Sequence, residues 1–194
     1  MVRRYSGKEV PEEVLDRVLR LAAHAPSAGF SQGVDLLVLE GRAQTQPFFE
    51  LTSDPGFFAE PEAMRGLLEA PLIVLPIGDP SVYVARYGES DKAQSSLAGV
   101  AAEDWPTPYW LVDASFIVML LLLAAADEGL GALFFRLHRD PSALLAALSV
   151  PDGKQLIGAV ALGYEADAPA TGVRGGQPRR RRRPVEDVVH RGRW

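Results

Sequence analysis

Two stretches hold the residues best suited to chemistry. Pro26-Ser27-Ala28-Gly29-Phe30-Ser31-Gln32-Gly33 sets small and polar residues between two apolar segments, and Arg179–Arg183 form an unbroken run of guanidiniums. Ser27, Ala28 and Gly29 are small enough to let backbone amides approach a flat ligand closely. The same residues also suit a plain helix-to-strand turn, and spacing alone favours the turn. The arginines have three readings. A charge run is ordinarily a solvated tail; it can also bind nucleic acid or an anionic membrane surface; and the planar fork of arginine suits capture of a phosphate. Composition alone does not separate these.

Other chemistries find little support. The chain has no cysteine, which removes disulfides, thiolate nucleophiles and cysteine metal sites and agrees with a reducing, cytoplasmic setting. His24, His138 and His190 are scattered, with no pair at ligand spacing, so no metal is expected. There is no G-x-S-x-G nucleophile elbow. Gly129-Leu130-Gly131 follows a helical stretch and reads as a helix stop. No catalytic side chain is nominated. The net charge is −5, yet Arg174–Trp194 carries eight arginines against Glu186 and Asp187, a local +6 that leaves −11 on the body. A general nucleic-acid binder would have a basic body too, so no nucleic-acid partner is expected. The tail is expected to lie on the acidic body, on an acidic partner subunit or on an anionic ligand.

The elements that must position these residues read as one mixed α–β domain, residues 1–164, followed by a coreless arginine-rich extension, residues 165–194. Pro11–Ala25 predicts a helix: Pro11 suits its first position, Glu12 and Glu13 favour its positive end, and Val14, Leu15, Val18, Leu19 and Ala22 share one face. Glu13–Arg17 and Asp16–Arg20 are expected as i,i+4 pairs. Strands are predicted at Val34–Glu40, Pro71–Gly78, Ala132–Leu137 and Lys154–Tyr164. A short helix is expected within residues 41–60 and another from Pro61. Asp79–Trp110 reads as a long irregular segment carrying Tyr83, Tyr87, Trp105, Tyr109, Trp110, Arg86, Asp91 and Lys92; loops that long in a small domain usually have a function. Asp113–Glu128 predicts a central helix, apolar nearly all round and therefore buried, closed by Gly129. Its apolar run, Ala114–Ala126, has 13 residues, short of the roughly 20 that a membrane span needs, so no membrane is expected. Asp140 and Pro141 start a last helix. The alternation of strands and helices by itself reads as α/β.

Four blocks, in order, resemble the FMN-dependent nitroreductase family. They are VRRYSGKEVPEEVLDRVLRLAAHAPSAGFSQ, LVDASFIVMLLLLAAADEGLGALFF, KQLIGAVALGYEAD and RRRRRPVEDVVHRGRW. The resemblance implies an α+β fold: a three-layer α/β/α sandwich on a mixed, largely antiparallel sheet. It implies a homodimer whose C-terminal extensions wrap the partner, with FMN at the subunit interface. It also implies ping-pong electron transfer from NAD(P)H to a nitroaromatic, quinone or related small-molecule acceptor. Carried over residue by residue, it places Arg3, Arg180 and Arg182 at the FMN phosphate and ribityl region. Pro26, Ser27, Ala28 and Gln32 would lie along the flavin ring, and Phe135 and Arg136 at the strand end passing flavin N5.

This sequence departs from the family pattern at several positions. Met1 stands where the family has a serine, so the arginine expected before it is missing and the chain is expected to begin inside the motif. Phe30 stands where an asparagine is common, Gly33-Val34 replace a Pro-Trp pair, and Arg136 replaces a glycine. A cation at position 136 would favour an anionic acceptor. Arg179, Arg181 and Arg183 have no assigned role. Two other readings remain: a flavin-binding protein without reductase turnover, and an interaction protein whose arginine tail binds nucleic acid.

Overall fold

Leu72–Gly78 is a strand in which all seven positions are buried. A strand can be buried on both faces only if both faces are covered by other layers, so this segment sets the architecture. The computed structural model describes residues 1–54, 56, 66–167 and 181–194. Its elements in chain order are α1 (Glu12–Ala22), β1 (Val34–Glu40), α2 (Gly41–Thr52), β2 (Leu72–Gly78), α3 (Pro80–Tyr87), α4 (Tyr109–Asp127), β3 (Gly131–Phe135), α5 (Ser142–Ala147), β4 (Gln155–Leu156) and β5 (Ala159–Gly163).

The sheet runs β1-β2-β5-β3, with β4 also on β2. Every pairing among the described residues is antiparallel. That decides for α+β over the α/β reading that alternation suggests. Side chains alternate faces along a strand, and two cores follow. Ile73, Leu75 and Ile77 of β2, with Ala159 and Ala161 of β5, pack on Phe48 and Phe49 of α2 and Leu144 of α5. Leu72 and Val74, with Val160 and Leu162, pack on Leu15 and Val18 of α1 and on Ile117, Val118 and Leu121 of α4. Helices on both faces of one sheet make the three-layer sandwich.

The fourth expected strand is two. Val74 pairs with Val160 and Ile77 with Leu156, so three steps on β2 face four on its neighbour, a β-bulge at Ile157–Gly158. The bulge sits opposite Pro76, which has no N–H to donate. The third strand ends at Phe135 rather than Leu137, leaving Arg136 beyond the ladder.

The segment from Asp79 is more ordered than its sequence suggests. Asp79 caps α3, accepting from the Ser81 N–H at 3.0 Å, with Pro80 at the first helical position. α4 starts four residues earlier than expected, at Tyr109, and reaches 19 residues. By length and composition it could cross a membrane, but Trp110, Ala114, Ile117, Val118, Leu121, Ala124 and Ala125 are buried. Its other side is open: Phe116, Met119 and Leu123 are 45%, 54% and 57% exposed. The expectation of a helix buried all round is corrected to a core helix with one bare apolar stripe, because the single chain supplies cover for one side only. Gly129 closes the helix with φ +72°, as expected. Arg17 does not pair with Glu13 but forks onto Glu128 at 2.7 and 2.8 Å, tying α1 to the end of α4. The Asp16–Arg20 pair forms at 3.4 Å.

Asp140 behaves as the expected cap of α5, accepting from the Ser142 N–H at 2.9 Å. Of the helix expected from Pro61, Gly66–Glu69 form a 3-10 turn; residues 61–65 lie outside the described residues. So do Arg179 and Arg180. Residues 181–194 are exposed throughout, and among the described residues their hydrogen bonds are internal.

Candidate functional site

The Pro26–Gly33 loop joins α1 to β1 and is built to a defined shape. Gly29, Phe30 and Gln32 have φ of +60°, +57° and +53°, a left-handed region that side chains other than Gly, Asn and Asp rarely enter. Short bonds hold it there. The Gln32 N–H donates to Ser27 Oγ at 3.0 Å, the Phe30 N–H to the Ser27 carbonyl at 2.9 Å, and the Ser31 hydroxyl to the Ala28 carbonyl at 2.6 Å.

Long-range groups then clamp the loop to the domain. The Ala28 N–H donates to Asp113 Oδ2 at 2.9 Å, and Arg86 Nε donates to the Gly29 carbonyl at 2.9 Å. Asp113 is 2% exposed, and its Oδ2 also accepts the Tyr83 hydroxyl at 2.7 Å. Burial, then the adjoining Asp113 carboxylate, push the Tyr83 hydroxyl far above the ordinary tyrosine range, so it stays a donor. Arg86 is held in turn by Asp91 at 2.7 Å and Glu89 at 3.1 Å. The hydrogen bond to Asp91, against a smaller opposing effect of desolvation, raises the Arg86 pKa further. Close packing fixes the rest. A Cβ at Gly33 would lie 2.5 Å from the Tyr83 ring, and one at Gly29 2.8 Å from the Tyr87 ring. Tyr83, Trp105 and Trp110 form a small aromatic core behind the loop, with Tyr87 and Tyr109 against it.

Beside the loop lies a cleft of about 330 Å³ between β1, α1 and α4; Pro26, Ser27, Gln32, Val34, Leu36 and Asp113 line it, together with Ile117 and Asp35. Among the described residues, no cation lines this cleft. At its mouth Lys154 bridges Asp35 at 2.5 Å and Asp79 at 3.3 Å.

The structure separates the residues assigned to one site. Val34 pairs with Gly78, and Phe135 with Ala159. The antiparallel order therefore puts the Pro26–Gln32 loop and the Phe135–Arg136 strand end at one end of the sheet, but on opposite edges. Three inter-strand steps separate those edges, on the order of 14 Å. Arg3 sits at the other end: the Val2 N–H donates to the Ala132 carbonyl at 3.0 Å, and buried Tyr5 donates to the Val2 and Ala161 carbonyls. Arg3, Arg136 and Arg182 are exposed, and none forms an ion pair among the described residues. Among the described residues, one chain thus gathers Pro26, Ser27, Ala28 and Gln32, but not Arg3, Arg136 or Arg182.

Sequence reasoning missed Asp113, Tyr83 and Arg86. A signal existed for the first, a lone carboxylate at the head of an otherwise apolar helix. The other two lay in the segment read as irregular.

Comparison with known proteins places these features. The family model described as nitroreductase family matches residues 1–164. A curated relative from Thermus thermophilus, named NADH dehydrogenase, is 29% identical over 170 residues, covering 86% of this chain and 82% of its own. Among solved structures, Bacillus megaterium NfrA2 superposes with a TM-score of 0.73 at 19% identity, covering 100% of this chain and 70% of that one. A nitroreductase family protein from Streptococcus pneumoniae gives 0.69 at 18% identity, over 97% and 94%. With the three-layer α+β sandwich and a family match spanning the whole domain, the chain belongs to the nitroreductase family, a family of oxidoreductases.

Proposed function

We propose that the protein is an FMN-dependent oxidoreductase that passes electrons from NAD(P)H to a small acceptor, a nitroaromatic, quinone or related molecule, and that it works as a homodimer. The observation that carries this reading is the clamped Pro26–Gln32 loop beside an apolar cleft, at the positions where the family resemblance expects the flavin ring. Pro26, Ser27 and Gln32 line the cleft, and Ala28 is held beside them by its N–H bond to Asp113. The cleft is at the small end of the range for cofactor sites, and its lining suits a ring better than a phosphate, since among the described residues its ionisable groups are Asp35 and Asp113.

A phosphate therefore needs cations from elsewhere. Arg3, Arg180 and Arg182 are the candidates. Arg3 lies at the far end of the sheet from this cleft, so a second chain would have to bring it there, and the arginine extension of that chain is the natural source of the others. Three features support that arrangement. Phe116, Met119 and Leu123 form an exposed stripe at helical spacing. The outer edge of β1 has no strand partner among the described residues. The extension at 181–194 presents Val185, Val188, Val189 and Trp194 to solvent, as a segment that wraps a partner would before it docks.

Bound FMN supplies the redox chemistry, taking electrons from NAD(P)H and giving them to the acceptor in separate half-reactions. The chain's part is to hold and orient. The loop fixes the ring, Asp113 and Arg86 fix the loop, and the arginines of the extension hold the phosphate. Phe135 and Arg136 lie on the opposite sheet edge from the loop in one chain, so a second chain would have to present them to the reactive edge. No side-chain acid or base is required. The test is to mix the purified protein with FMN and follow NADH and NADPH oxidation with menadione as acceptor. Turnover with either nicotinamide supports the proposal. Flavin retained without turnover would make the chain a flavin-binding protein only.

A further inference from the structure

Phe30 is the least economical residue in the loop. Its backbone is left-handed, φ +57°, which for a bulky residue is a strained state. Phe30 is 74% exposed, so burial within the chain does not offset that strain. The loop's own bonds do not depend on the ring. Ser27 Oγ, Asp113 and Arg86 engage Gln32, Ala28 and Gly29 through backbone atoms. The result is an aromatic ring held out in water on a rigid turn, flanked on either side by the cleft-lining residues Ser27 and Gln32. Strain kept at an exposed position beside a binding cleft points to a ligand.

We infer that Phe30 is a specificity-determining residue: its ring is a fixed wall against which a planar aromatic acceptor stacks. The inference rests on the flavin-oxidoreductase reading and adds the residue that selects among its acceptors. Offset stacking of an electron-poor nitroaromatic or quinone on a phenyl face is favourable. A wall already held in place loses little freedom when the substrate arrives. An acceptor without a ring gains nothing from it.

The test compares menadione, which has a planar ring system, with ferricyanide, which has none, in the FMN-loaded dimer. Phe30→Ala should raise KM for menadione about tenfold, the factor expected for one lost stacking partner, and leave turnover with ferricyanide within about twofold. Phe30→Trp should restore a low KM for menadione. Phe30→Gly should match Phe30→Ala in KM yet melt higher than it, since glycine accepts a left-handed backbone, which separates loss of the wall from damage to the fold. Equal effects on both acceptors, or none on menadione, overturn the inference. So does dissociation of the dimer by Phe30→Ala in sedimentation, which would make the ring a subunit contact. A wild-type protein that stays colourless with FMN and oxidises no nicotinamide overturns the underlying reading and the wall with it. A coloured, active wild type with an unchanged Phe30→Ala KM overturns the wall alone.

Discussion

Replacing Asp113 with alanine removes one oxygen that a buried and a part-buried donor share. The Tyr83 hydroxyl, 2.7 Å away, and the Ala28 N–H, 2.9 Å away, both lose their acceptor. Tyr83 is fully buried against Trp110, so its hydroxyl has no ready substitute. An unpaired buried donor costs about 1–3 kcal/mol. Because Asp113 also lines the cleft, water can reach part of the gap, which places the total near the lower end, about 2–3 kcal/mol. For a chain of this size that lowers Tm by roughly 5–10 °C. Asp113→Asn keeps an acceptor oxygen and should cost about 1 kcal/mol, the charge-assisted share. Tyr83→Phe removes the other end of the same bond. Asp113→Ala with Tyr83→Phe should therefore cost at least about 1 kcal/mol less than the sum of the two singles. Urea unfolding at one fixed protomer concentration measures all four, since a dimer's stability depends on concentration. Limited proteolysis within the Pro26–Gly33 loop should rise in Asp113→Ala and stay near wild type in Asp113→Asn. Full additivity, or an alanine variant as stable as wild type, would refute the latch.

Other outcomes follow from the same geometry. Arg180→Ala with Arg182→Ala should weaken FMN binding by roughly a hundredfold, about 3 kcal/mol for two charge-assisted contacts, without splitting the dimer; flavin titration at wild-type affinity would contradict the phosphate assignment. Met119→Asp or Leu123→Asp should weaken self-association by about thirtyfold or more, as for an interface hot spot near 2 kcal/mol, read by sedimentation across a concentration series. For pH, partial burial raises the Asp79 pKa, but bonds from Ser81 and Lys154 outweigh it and hold the carboxyl below its usual range. The Asp35 hydrogen bond, opposed by desolvation and helped by Asp79, holds Lys154 above its own range. The Asp79 contribution to stability is thus complete above its unfolded value and lost as pH falls through the lower folded value. The Lys154 contribution is complete below its unfolded value and lost as pH rises through the higher folded one. Lys154→Met should remove the alkaline loss and flatten part of the acid limb in urea midpoints measured against pH.

Much of the fold was legible because the governing signals are local. Branched apolar runs marked β1 and β2, and the acidic first turn with an apolar stripe marked α1. The residues Asp140-Pro141-Ser142 marked the start of α5. The same Asp-Pro-Ser cap at residues 79–81 was obscured by the polar and aromatic residues after it, so α3 read as loop. The bulge at Ile157–Gly158 depends on Pro76 across the sheet, a long-range partner that no window of sequence contains. In α4, an apolar surface all round does not say which side the chain itself will cover, so the bare stripe at Phe116, Met119 and Leu123 emerged only from the packing. At the candidate site, the loop residues were legible as small and polar, but their clamp was not. Asp113 and Arg86 are 85 and 57 residues from the loop atoms they hold. Nor does sequence order tell which sheet edge a residue occupies, and that is why the loop and the cations, nominated together, fall on separate parts of one chain.

The central proposal is that this chain, as a homodimer, carries a flavin that nicotinamide reduces. The most direct measurement is the visible absorbance spectrum of the purified protein supplied with FMN, freed of unbound FMN and recorded before and after anaerobic addition of NADH or NADPH. Flavin bands should co-elute with the protein and bleach on addition of at least one nicotinamide, then return when menadione is added. A colourless protein, or bands that neither nicotinamide bleaches, would contradict the proposal.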